Sequence, residues 1–216
     1  MKNFKLIPVL LLAFASVLNL KAQDATPSFQ EFLAQFPKAS LPYTFNAEDL
    51  QGQLEARKAT KSAHLGWEFY QFLPELERSA SYSNMPVCPE PVASFQTEEY
   101  TAVLYNIARG FSRGTKTYSI SVFSKQGDYL GTHFIAGVNP ETLTVATIDE
   151  ALNASVKEYK VNWENDYREN GYIGNKVTGL TLVVSATIEL TTAGNPDQIQ
   201  WTSRGIDTSN NIAKIK

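Results

Sequence analysis

A chain of 216 residues, 43% hydrophobic and only 19% charged, carries enough apolar side chains to bury a core. Its net charge of −3 argues against the basic face that nonspecific nucleic-acid or anionic-membrane binding requires. Its single cysteine, Cys88, excludes an internal disulfide, so stability must come from packing.

The first 22 residues read as a secretory leader. Lys2 and Lys5 precede an apolar run from Leu6 to Leu18, interrupted only by Ser16. That is the length of a signal-peptide core and short for a bilayer span. Leu20-Lys21-Ala22 places cleavage after Ala22, which predicts a periplasmic or secreted protein with no membrane span once the leader is removed. An uncleaved N-terminal anchor is the alternative. The mature chain would have 194 residues, with 16 basic against 22 acidic side chains.

Ser28 and Glu31 have capping-box spacing, and Phe29, Phe32, Leu33 and Phe36 follow as a helical stripe that ends at Pro37. Such a stripe suits a helix packed on its own domain, with a partner-binding helix as the rival. Leu41–Phe45 reads as an extended connector and Asn46–Leu50 as a short helical turn. Leu65, Phe69, Phe72, Leu73 and Leu76 predict a second helix, ended or kinked by Pro74. Residues 79–97, with Pro86, Pro89 and Pro91, read as a loop. Residues 23–97 are therefore predicted to be a helical segment and Pro-rich loop packed on a sheet.

From Glu98 the period becomes two. Tyr100–Ile107 is a strand candidate. Residues 109–116 turn into a hairpin over Thr117–Ala136, where Tyr118, Ile120 and Val122 alternate with Ser119 and Ser121. Its turn is Lys125-Gln126-Gly127-Asp128, and it predicts a half-buried sheet. Leu143, Val145 and Thr147 alternate next, then Asp149-Glu150 turns. Leu152, Ala154 and Val156 share one parity, whereas Tyr159, Val161 and Trp163 share the other, so a bulge is predicted near Lys157-Glu158. Leu180 to Leu190 is the longest alternation and predicts a central strand. A turn over 193–197, a short strand with Ile199 and Trp201, and a mobile tail over 205–216 complete the chain.

Short turns between successive strands predict an antiparallel meander over 98–204, mainly β, as a curved open sheet with two short N-terminal helices. A closed barrel or a β-sandwich is the alternative. No βαβ spacing follows residue 98, which argues against a Rossmann-type site.

Phe29-x-x-Phe32-x-x-x-Phe36-Pro37 and Leu41-Pro42-Tyr43 resemble the opening of uncharacterised secreted and periplasmic proteins of Bacteroidota. Phe123-Ser124-Lys125-Gln126-Gly127 fits the Phe-x-Lys-x-Gly hairpin of that group, and Thr147-Ile148-Asp149 its later turn. The resemblance covers residues 23–163. It implies an exported envelope protein with a meander sheet and carries over no catalytic residue.

The chemistry candidates are sparse. Asp149-Glu150 and Glu164-x-Asp166-x-x-Glu169 are acidic clusters in predicted turns, where acids are ordinarily solvated or cap the backbone. Residues 164–170 offer oxygen ligands for calcium without the EF-hand order. His64 and His133 lack zinc-site spacing, and Cys88 has no base placed beside it. No nucleophile elbow occurs, and Asn153-Ala154-Ser155 reads as a chance sequon. Exposed aromatics are the better lead, because they stack on sugars or anchor a partner. Tyr159 and Trp163, with Glu164 and Asp166 beside them, form the predicted ligand-binding patch. No catalytic, metal or cofactor residue is assigned. The sequence thus points to an exported, noncatalytic envelope or secreted binding protein whose partner is an unidentified protein or glycan. A hydrolase of envelope or glycan material, using acids near Asp149 or Glu164, and a structural envelope subunit are the alternatives.

Overall fold

The computed structural model describes residues 26–55, 64–76, 88–108, 116–171 and 174–192. The leader, the turn over 109–115, the strand with Ile199 and Trp201, and the tail lie outside the described residues.

Seven strands succeed one another as an antiparallel meander: β2 (Cys88–Gln96), β3 (Tyr100–Ala108), β4 (Lys116–Ser124), β5 (Tyr129–Val138), β6 (Thr142–Ile148), β7 (Asn153–Trp163) and β8 (Val177–Glu189). The two-residue β1 (Tyr43–Thr44) joins β6, making eight strands in one open sheet. The chain is mainly β, and the sheet does not close into a barrel. The join between β5 and β6 is narrow, since only Gly137↔Thr144 and Val138↔Leu143 pair there. Beyond them β1 takes over that edge of β6, with Tyr43 opposite Ile148.

Two apolar clusters hold the sheet. Ala102, Leu104, Ile120 and Val122 face one, together with Phe45 and Leu50. Val103, Tyr105, Ile107 and Phe123 face the other, under the N-terminal helical segments. Helix α1 (Phe29–Leu33) begins with the expected capping box: the Glu31 N–H donates to Ser28 Oγ at 3.3 Å, and the Ser28 N–H to Glu31 Oε2 at 2.7 Å. Its stripe packs on the chain's own domain. Phe32 is fully buried and stacks on Phe72 at 4.8 Å, while Phe29 meets Phe123 at 5.0 Å. Helix α2 (Ala47–Glu55) contributes Leu50. The second predicted helix is a 3₁₀ helix, Trp67–Phe72, stopping before Pro74.

Four readings of the sequence are corrected. The Pro-rich loop is strand from Cys88 onward. Prolines fit this edge strand because the N–H and C=O of one residue point the same way, and the Pro89 carbonyl points outward, accepting from Leu65 N–H at 2.8 Å. The same edge is partly covered where Ser94 exchanges backbone hydrogen bonds with Pro37 and Ala39.

The polar face of the β4–β5 hairpin is not solvated. Ser119, Ser121 and Thr132 are buried, so the sheet here is covered on both faces.

The alternating run from Leu180 lies on a terminal strand of the sheet order, not a central one. Leu182 stays 48% exposed and Val183 39%.

The parity slip of β7 is real, but the extra residue belongs to its neighbour. Glu158 pairs with Val184 and Tyr159 with Leu182, which leaves Val183 bulged on β8, while the ladder to β6 runs without a shift. A second shift on β8 leaves Thr178 out of the ladder register with β7, although its hydroxyl donates to the Asn162 carbonyl at 3.1 Å.

Candidate functional site

One opening among the described residues lies where the turn into β6, the end of β7 and the loop before β8 converge. Helix α3 (Tyr167–Asn170) is one turn long and capped by Asp166, whose carboxylate accepts from Arg168 N–H at 2.9 Å. Gly171 leaves the helix at φ 73°, a value that suits glycine. Buried Asn175 anchors the loop, donating from its amide to the carbonyl of Asn165 at 2.7 Å and of Gly171 at 3.2 Å.

This frame fixes two aromatic rings against a charged pair. Trp163 Nε1 donates to the Pro140 carbonyl at 2.6 Å. Its ring lies 6.2 Å from that of Tyr167, tilted by 43°. Glu141 accepts from the Tyr167 hydroxyl and, at 2.9 Å, from Arg168 Nη2. These two donors, Tyr167 first, hold the Glu141 carboxyl below its ordinary value. The Arg168 guanidinium also sits 5.7 Å from the Tyr167 ring centroid. Across the groove, Glu158 and Lys160 come from β7, and Asn162 donates to Thr181 Oγ1 of β8 at 2.9 Å. Glu158 is half-buried, and burial raises its pKa against the opposing hydrogen bond from Thr144. Val183, the bulged residue, closes the far wall. The cavity measures about 590 Å³, within the range of small-molecule sites.

Of the four residues singled out in the sequence, Trp163 and Asp166 line this groove. Tyr159 is half-buried and packs against the core, and Glu164 is exposed outside the lining, its N–H bonded to the Lys176 carbonyl at 2.8 Å. Asp149 sits at the other end of the β6–β7 ladder, six residues or about 20 Å away. There it accepts from the N–H groups of Asn153 and Ala151, which lower its pKa and make it a turn cap. Among the described residues no three His, Cys, Asp or Glu side chains converge as metal ligands. Glu141, Lys160, Tyr167 and Arg168 were not singled out in the sequence; the polar run 164–170 was the only local signal for the last two.

A second polar cluster lies under the 3₁₀ segment and has no counterpart in the sequence reading. The Tyr105 hydroxyl bonds Glu75 and lies 2.9 Å from Ser121 Oγ, which lies 2.6 Å from Thr132 Oγ1. Burial raises the Glu75 pKa despite donation from Tyr105, and Glu75 Oε2 has no hydrogen-bond partner among the described residues. Tyr105 is raised too, by burial and then by the charge of Glu75. The cluster ties Glu75 to the covered face of β3, β4 and β5.

No family model, curated protein or solved structure matches the chain. The described architecture is that of a mainly β protein with an open eight-stranded sheet.

Proposed function

We propose that this chain is an exported, noncatalytic binding protein of the periplasm or cell surroundings, and that the groove beside α3 is its binding site. The reading is supported by one arrangement above all: Trp163 and Tyr167 present ring surface beside polar side chains in a cavity large enough for an organic ligand. The leader-like first 22 residues and the resemblance to secreted Bacteroidota proteins support export. The partner is a protein or a glycan of the envelope. The chain immobilised at physiological salt is expected to retain an envelope component, and Tyr167→Ala and Lys160→Glu are expected to lose it. Equal retention by the parent and both variants would place binding elsewhere. An N-terminal residue other than Gln23, give or take one or two positions, in protein recovered from the exporting cell would overturn the leader assignment.

A second reading, a hydrolase of envelope or glycan material, rests on Glu158. A half-buried carboxyl with a raised pKa has the character of a general acid, and it shares the groove with Glu141 and Asp166. If Glu158→Gln retains ligand but abolishes release of product, this second reading replaces the first.

A further inference from the structure

We infer that the groove takes a neutral saccharide chain, whose C–H face lies on the Trp163 and Tyr167 rings and whose hydroxyls are held by Asn165, Lys160 and Glu158. This deepens the binding-site reading above and rests on it.

The argument runs through what the lining can and cannot satisfy. An anionic ligand needs converging free cations, but Arg168 is already engaged by Glu141 at 2.9 Å, which leaves Lys160 in a lining that also holds Glu158 and Asp166. A metal-bridged ligand needs a carboxylate cluster, and none is present among the described residues. A lipid chain needs a continuous apolar wall, whereas most of the lining residues here carry polar or charged side chains. A neutral polyol satisfies the remaining chemistry. It offers an apolar ring face to an aromatic surface and hydroxyls that both donate and accept, matching an amide, an ammonium and a carboxyl in one cavity.

The groove's rigidity favours the same ligand. Trp163 is pinned through its Nε1 to Pro140, and Tyr167 through its hydroxyl to Glu141, so neither ring must be ordered on binding. The cavity of about 590 Å³ falls within the range of small organic ligands.

The test is calorimetric titration of the intact chain with cellohexaose, xylohexaose, chitohexaose and maltohexaose, with oligogalacturonate as the charged counterpart. At least one neutral probe is expected to bind, and oligogalacturonate is not. Tyr167→Ala and Asn165→Ala are each expected to weaken that binding about tenfold, the equivalent of about 1.4 kcal/mol. Gln126→Ala, in the exposed β4–β5 turn, is expected to leave it unchanged. Both groove variants alter exposed or half-buried positions, so loss of binding with an unchanged unfolding midpoint reports the site. Preferential binding of oligogalacturonate overturns the neutral assignment. If no probe binds, the retained envelope material decides the matter. Retention that survives periodate cleavage of sugars but not proteolysis overturns the saccharide and leaves the binding site standing. No retention at all removes both.

Discussion

Single residues in this molecule carry opposing costs, and magnitudes decide which prevails. Leu152 occupies the left-handed region at φ 60°, where a non-glycine residue costs about 1–2 kcal/mol. Its side chain is nevertheless 1% exposed, and deleting a buried leucine costs about 2–5 kcal/mol. Burial wins, so Leu152→Gly is expected to destabilise the fold by about 2 kcal/mol, read from the urea midpoint. Glu75 presents the reverse balance. Its folded pKa is raised above the unfolded value of 4.5, mainly by burial, so the folded state holds the extra proton. That contribution is complete below pH 4.5 and is lost as pH rises through the folded pKa. Glu75→Gln keeps the shape and removes the titration, so its stability is expected to fall less than that of the parent between pH 4.5 and pH 8. An unchanged slope in paired urea titrations would show that Glu75 is not the group responsible.

Elements fold here by periodicity, but their neighbours decide what covers them. The β4–β5 hairpin shows both halves of that statement. Gly127 adopts φ 93°, which the turn signal in the sequence anticipates. The sequence does not reveal that a Cβ at this glycine would lie 2.9 Å from the Phe29 ring of α1. Gly127→Ala therefore strains the turn and pushes on a helix about a hundred residues earlier; a loss of about 1–3 kcal/mol is expected by thermal or urea unfolding. The strands from β3 to β7 were legible because alternation and turn residues are local properties. The edge strand β2 was not, because Pro89 and Pro91 mask a strand that has no ladder neighbour on its outward side at those two positions. The exposure of Leu182 was not legible either, because alternation reports which residues share a face and is silent on whether anything packs there. For the site, Trp163 and Asp166 were legible from composition. The salt bridge of Glu141 to Arg168 spans 27 positions, a distance that no local pattern records.

At the scale of the whole molecule, the end of the last strand lies beside a residue from the middle of the sheet. His133 of β5 is buried beside the backbone of Leu190 and Thr192, just past β8, and its Nε2 has no hydrogen-bond partner among the described residues. Burial lowers its pKa below the ordinary 6.5, so the unfolded state binds the extra proton and stability falls as pH drops below about that value. The Leu190 amide, which donates to the Leu152 carbonyl, is expected to exchange faster at pH 5.5 than at pH 7.5 once intrinsic rates are removed. Unchanged protection would show that His133 does not hold this join. The N-terminal arm ties the other side: β1 meets β6 more than a hundred residues downstream, and Pro37 meets Ser94. A chain begun at Ala47 would lose Phe29, Phe32 and Phe36 from the Phe123 face and free the β2 edge at Ser94, so aggregation visible by light scattering is expected. The arm also sets how the molecule yields to force. Tension applied through the N-terminal end runs first into α1 and the two-residue strand β1, while the long ladders of β2 to β5 and β6 to β8 lie behind them. The arm would peel away as an early, low-force event, and the narrow β5–β6 seam would then separate before either ladder unravels.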